Sequence, residues 1–257
     1  MKPDPKKAAS DDEKTEVSAL ARGLALLQVI AGTGPMTVKD LATETGIPKA
    51  TVSRMVATLL TAGYLRQEEG STLCRLGPAF LAAGNAYLGD IDLRVMLRPH
   101  MLNVANLSGA KVNVGVRSGL EIVVVDSIRP RSAVILSYME VGARMDLATS
   151  AAGRAYIASL EEEARQEVLE ELRASGASAW RSTAARMKHA VAEFHELGYC
   201  TSFGEWHSEI NAIGVVVRGP AGERFSVSCG GPTYKLTPEF LRQQVAPALL
   251  RAVNDWT

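Results

Sequence analysis

Apolar residues Val52, Met55, Val56, Leu59 and Leu60 recur at helical spacing, and so predict an amphipathic helix over residues 47–60. The opposite face carries Lys49, Thr51, Ser53, Arg54 and Thr58. Pro48 suits the first turn, where its missing N–H would have no partner. Upstream, Thr37 with Asp40 three residues on reads as a capping box that starts a shorter helix, and Gly46 supplies a tight turn between the two. After a stop at Ala62-Gly63, residues 64–67 and 73–76 flank Glu68-Glu69-Gly70-Ser71-Thr72, a hairpin pattern. Helix, turn, helix and hairpin in this order make a winged helix-turn-helix.

Residues 18–30 predict a preceding helix, with Leu20, Leu24, Leu27 and Ala31 on one stripe and Arg22 off it. Residues 78–88 follow the hairpin as a helix with Pro78 in its first turn. Its stripe of Phe80, Ala83, Tyr87 and Ile91 needs a partner, expected across a dimer. From Asp92 the pattern turns to mixed helix and strand. A helix spans residues 93–107, interrupted or restarted at Pro99, and strands follow at 111–116, 120–128 and 133–138. Helices are expected at 151–160, 162–173 and 184–197, then strands at 199–203, 212–218 and 224–228. A closing helix at 238–256 has Leu241, Val245, Leu249, Val253 and Trp256 on its buried side and a kink expected at Pro247. The fold class is α+β, with a central sheet of about five or six strands. The domains are a disordered tail at 1–16, a winged helix-turn-helix at 17–77, a linker helix at 78–95 and a second domain at 96–257.

Charge sharpens this picture. The chain carries no net charge overall, yet between Ile47 and Gln67 the charged residues are Lys49, Arg54 and Arg66, with no acid. A recognition helix reads base edges from its N-terminal turns while neighbouring groups and the wing grip phosphate. Arg22, Thr37, Lys49, Ala50, Thr51, Ser53, Arg54 and Arg66 are therefore the candidate contacts to double-stranded DNA. No apolar run approaches the ~20 residues that span a bilayer, and the Lys-rich but acidic N-terminus has no apolar segment of a signal peptide. Cys74, Cys200 and Cys229 are too few and too scattered for a disulfide framework, which points to a reducing cytoplasm.

Catalytic chemistry finds no constellation. His100, His189, His195 and His207 build no metal motif, and no nucleophile elbow, P-loop or dinucleotide fingerprint occurs. Asp126 beside Ser127 suggests an acid-base pair, although an Asp at a strand end is more often a turn residue. The expectation is a protein that is not an enzyme and uses no cofactor or metal.

The layout as a whole resembles the isocitrate lyase regulator (IclR) family of bacterial transcription factors, from about Val17 to the C-terminus. The residues that carry the resemblance are Arg22-Gly23-Leu24, Leu41-Ala42, Gly46-Ile47-Pro48-Lys49-Ala50-Thr51-Val52-Ser53-Arg54 and Gly63-Tyr64-Leu65. In the second domain they are Gly142-Ala143-Arg144-Met145, Ser150-Ala151-Ala152-Gly153-Arg154-Ala155, Gly198-Tyr199, Gly214 and Gly231-Pro232.

The resemblance implies a homodimer or tetramer whose second domain is similar to GAF sensory domains and binds a small organic or aromatic acid. It implies an anion near the backbone N–H groups of Ala151 and Ala152, a contact at Ser228, and an apolar wall from Val134, Leu136, Met139 and Met145. Ser202 and Gly230 stand where relatives can carry more polar groups, which argues against a small, highly polar ligand such as glyoxylate. Trp206 and Asn211, in the loop after Phe203, offer a stacking face and an amide donor instead, the alternative being that Trp206 covers the core edge and Asn211 caps a turn. The alternative is that this domain binds a protein partner in place of a metabolite.

Overall fold

The computed structural model describes residues 17–130, 139–176 and 180–254. These form two compact units that divide between Asp90 and Ile91, inside the span 78–95 that the sequence assigns to the linker. The expected tail at 1–16, the strand at 133–138 with Val134 and Leu136, and Trp256 lie outside the described residues.

The first unit runs α1 (Ser18–Thr33), β1 (Met36–Thr37), α2 (Val38–Thr45), α3 (Lys49–Thr61), β2 (Leu65–Arg66), β3 (Leu73–Leu76) and α4 (Ala79–Gly89). The capping box forms. Thr37 Oγ1 accepts from the Asp40 N–H at 3.2 Å, and Asp40 Oδ2 accepts from the Thr37 N–H at 3.3 Å. Gly46 then turns the chain at φ 67°, a left-handed conformation that favours glycine. Pro48 is the N-cap of α3, so the helix begins one residue later, at Lys49. β3 is the centre of a three-stranded antiparallel sheet between β1 and β2, pairing Met36 with Cys74 and Leu65 with Leu76.

The core of this unit is Leu26, Leu27, Ile30, Leu41, Val52, Val56, Leu65 and Cys74. The expected α1 stripe is therefore corrected. Leu27 is buried, but Leu20 and Leu24 are 62% and 51% exposed and the inward face runs Leu26, Leu27, Ile30. Apolar residues occupy two faces of α1, and periodicity alone does not say which of two apolar faces meets the core.

The second unit opens with α5 (Asp92–Ser108), which runs unbroken through Pro99. Pro99 lies on the exposed side of the helix, where the hydrogen bond that proline forfeits is least costly to lose. Then follow β4 (Lys111–Ser118), β5 (Glu121–Ile128), β6 (Arg144–Asp146), α6 (Ala151–Ala158), α7 (Glu162–Ala174), α8 (Trp180–Leu197), β7 (Cys200–Phe203), β8 (Ile210–Arg218) and β9 (Arg224–Pro232). The chain ends in α9 (Pro238–Phe240), a π-helical turn (Leu241–Val245) and α10 (Ala246–Asn254). Ahead of Pro247, where the sequence predicts a kink, the helix carries that π turn, which shifts its hydrogen-bond register.

The strands form one antiparallel sheet in the order β6-β5-β4-β9-β8-β7. Side chains alternate across it, and the alternation separates two chemistries. On β9, Cys229 faces α5, where its thiol donates to Ser108 Oγ at 3.4 Å, and Val227 lies on the same face. Ser226, Ser228 and Gly230 point to the other face, toward α6. α6 approaches that face so closely that a Cβ on Gly214 of β8 would sit 2.3 Å from the Ala151 carbonyl oxygen. Gly214→Ala is expected to lower stability by about 1–3 kcal/mol, because backbone must yield to the added methyl. Urea unfolding measures this, and an unchanged midpoint would contradict the close approach.

Candidate functional site

Two surfaces carry chemistry, one in each unit. On the first, α3 buries Val52 and Val56 and half-buries Met55, Leu59 and Leu60, so its polar face turns outward as the periodicity requires. Lys49, Ala50, Ser53 and Arg54 are exposed and Thr51 is half-buried. Arg22 is exposed on α1.

Two residues of this set have partners within the protein, and only that of Thr37, the capping-box Asp40, was legible in the sequence. Thr37 donates its hydroxyl to Asp40 Oδ2 at 2.7 Å, which commits it to the capping box. Arg66 Nη1 lies 3.7 Å from Glu68 Oε1, which Arg75 Nε also approaches at 3.3 Å. The wing therefore presents two arginines around one acid, and Arg75 is a cation that the sequence reading missed. Its partner on the neighbouring strand is Arg66, a pairing set only by the hairpin register.

In the second unit a cavity of about 410 Å³ lies between the first turn of α6 and the polar face of β9. Met139, Met145, Ala151, Ala152, Ser202, Trp206 and Ser228 all line it. Asn211 does not. It is buried on the opposite face of β8, in phase with Ile213 and Val215, and its Nδ2 donates to the Leu236 carbonyl at 2.9 Å. Ala212, one residue on, takes the place facing the cavity. The error is one of strand phase, since a single residue exchanges the two faces of a strand.

Local sequence explains the small residues at this end. Ser150 caps α6, its Oγ accepting from the Gly153 N–H at 3.0 Å. The first-turn residues Ala151 and Ala152 present only methyls and backbone to the cavity. Ser226 Oγ donates to the Ala152 carbonyl at 2.9 Å and Ser202 Oγ to the Thr149 carbonyl at 2.7 Å, which fix the helix over the sheet.

The loop after β7 is held by Arg154, which is 4% exposed. Its guanidinium donates to both Glu205 carboxylate oxygens, at 2.7 and 2.8 Å, and to the Thr201 and Ala148 carbonyls. The Arg154 hydrogen bonds hold the Glu205 carboxyl below the usual range, with Arg186 at 3.4 Å assisting. Trp206, the next residue, is thereby set against the cavity, with its ring 4.1 Å from that of His207 in an edge-on contact. Sequence analysis missed Arg154 because it sat within a motif and not at a recognisable site.

The sequence reading also missed polar groups at the far end. Lys111, only 6% exposed, donates from Nζ to Glu140 Oε1 and to the Met139 carbonyl, both at 2.8 Å. Arg129 also donates to Glu140. These donors, Lys111 first, pull the Glu140 carboxyl below its ordinary value. Asn113 accepts from Ser127 Oγ at 2.8 Å. The sequence considered Ser127 beside Asp126 as a possible catalytic pair. Asp126 instead lies within β5, buried, with Arg98 Nη1 at 3.5 Å.

All three cysteines are buried, and burial pushes the Cys229 thiol up to about 11. Among the described residues no cluster of three or more His, Cys, Asp or Glu could hold a metal ion, and no helix is long and apolar enough to cross a membrane.

Comparison with known proteins places both surfaces in one family. The model of the bacterial transcriptional regulator IclR C-terminal domain matches residues 85–256, and that of the IclR helix-turn-helix domain matches residues 19–69. The HTH-type transcriptional regulator TsaQ1/TsaQ2 of Comamonas testosteroni is 29% identical over 93% of this chain and 87% of its own. An IclR family transcriptional regulator from Brucella abortus superposes with a TM-score of 0.83 at 32% identity, covering 94% of this chain and 92% of that one. An IclR homologue from Microbacterium hydrocarbonoxydans, solved in complex with 4-hydroxybenzoate, shares the fold with a TM-score of 0.67 at 19% identity, over 92% of this chain and 99% of that one. The chain belongs to the IclR family of DNA-binding transcriptional regulators.

Proposed function

We propose that the first unit reads an operator through the leading turns of α3, and that an organic acid bound in the cavity of the second unit changes operator affinity. The single observation that carries the reading is the cavity itself. It is walled by Met139, Met145 and Trp206 and has hydrogen-bonding groups at both ends, as small-molecule sites do. The Microbacterium homologue's 4-hydroxybenzoate supports an aromatic acid as the ligand class. Lys49, Ala50, Thr51, Ser53 and Arg54 contact the major groove, while Arg22, Thr37, Arg66 and Arg75 flank the phosphates.

A homodimer, reading two half-sites in the cytoplasm, completes the proposal. No residue of α4 is buried, although the helix is largely apolar, and Leu81 and Tyr87 are 68% and 52% exposed. Of the expected stripe, Phe80 packs edge-on against Tyr64 at 5.1 Å and Ile91 falls beyond α4 and is buried in the second unit, which leaves Ala83 and Tyr87 for the second copy.

A thermal-shift screen of small organic acids on the full chain, followed by footprinting, tests the reading. At 100 times its Kd a ligand stabilises the native state by about 2.7 kcal/mol. Stabilisation by at least one aromatic acid is expected. Stabilisation by none, with capture of a defined protein by the second unit, would assign the domain to a protein partner.

A further inference from the structure

The cavity has direction. Asn113 pairs with Ser228 across β4 and β9, and Lys111 pairs with Gly230 two residues further along. Ser226, bonded to the first turn of α6, lies four residues of β9 from Gly230, about 13 Å of strand. The first turn of α6, tied to Ser226, therefore marks one end and the Lys111 ammonium the other, with Gly230 leaving the space beside Lys111 free of a side chain. The two ends differ in charge. The helix end offers hydroxyls and backbone, whereas the Lys111 end offers a buried cation whose charge is met by a carboxylate, Glu140, on the segment before Gly142.

Glu140 is unlike its partner. Its side chain is 53% exposed while that of Lys111 is 6% exposed. A buried ammonium must keep an anion beside it, whereas an exposed carboxylate is readily taken by water. Arg129, itself half-exposed, also donates to Glu140 and would retain it on the outer side of the cavity mouth.

We infer that the carboxylate of an elongated aromatic acid seats on Lys111 by exchanging places with Glu140, and not at the Ala151 and Ala152 N–H groups where the family resemblance places an anion, while the acid's opposite polar group meets that first turn of α6. Glu140 is thus an internal stand-in for the ligand, and it sets the affinity threshold that an acid must exceed. The exchange conserves charge, one carboxylate leaving the buried ammonium as another arrives, so it selects acids over neutral compounds of the same shape. The ring spans the strand between Ser228 and Gly230 and lies beside Met139, Met145 and Trp206.

This inference rests on the cavity being the effector site, and the test separates the two. Calorimetric titration of the full chain uses 4-hydroxybenzoate and its neutral analogue 4-hydroxybenzamide. Glu140→Gln keeps the shape and a hydrogen-bond acceptor for Lys111 but removes the competing charge. It should tighten 4-hydroxybenzoate binding about tenfold, equivalent to about 1.4 kcal/mol, and leave the amide unchanged. Lys111→Gln should abolish the preference for acid over amide. Equal affinity of wild type and Glu140→Gln for 4-hydroxybenzoate would overturn the exchange while leaving the cavity as an acid site, as would a preference that survives Lys111→Gln. Binding of neither compound to wild type or Glu140→Gln would overturn the exchange and the aromatic-acid reading together.

Discussion

Replacing Arg54 by alanine is expected to weaken operator binding at least 30-fold with no loss of folding. Arg54 is exposed on the second turn of α3, and among the described residues no hydrogen bond or ion pair occupies its guanidinium. Removing it therefore breaks nothing internal, and surface changes of this kind shift stability by no more than about 0.5 kcal/mol. Against DNA the same group is costly to lose. A bidentate arginine contact to a base edge is worth about 1–3 kcal/mol. A dimer loses two such contacts at well-separated half-sites, whose effects add, for a total of about 2–6 kcal/mol. Fluorescence anisotropy on a footprinted operator fragment measures the affinity and thermal unfolding checks the fold. A folded variant with wild-type affinity would remove Arg54 from the reading surface.

Ala152→Leu is expected to have the opposite signature. Ala152 is 1% exposed, in the first turn of α6, where it lines the cavity. Its Cβ points where the larger side chain would compete with a ligand. The variant should bind operator as the wild type does and lose its response to acid. Allosteric coupling is typically 1–3 kcal/mol, so the lost response corresponds to about a five- to 150-fold change in operator affinity. Anisotropy titrations with and without acid read both quantities in one experiment. An acid affinity unchanged by the substitution would place the ligand elsewhere.

The sequence displayed the first unit almost completely, because its signals are local. The capping box at Thr37, the turn at Gly46 and the alternation of apolar and polar faces on α3 each depend on residues within one or two turns. What escaped was long-range. β1 is two residues long and exists only because β3 pairs with it, and the choice between two apolar faces of α1 was made by packing.

The cavity was legible in part for the same reason. The small residues Ser228 and Gly230 and the Ser150-Ala151-Ala152 cap mark its floor and one end. Asn211 was misplaced by one step of strand phase. Lys111 and Glu140 lie 29 residues apart in sequence and meet only when β4 is set beside the chain after β5. Arg154 and Glu205 are joined across 51 residues, so no local pattern announces the clamp that holds Trp206 in place.

The central claim is that the two units share one free energy, so that acid in the cavity and operator on α3 influence each other. Operator affinity of the full chain, titrated at rising concentrations of an acid shown to stabilise the fold, tests it most directly. The expected result is a change of about five- to 150-fold that saturates with acid occupancy and is matched by an equal change in acid affinity when operator is present. An operator affinity that stays constant while the cavity fills would contradict the account.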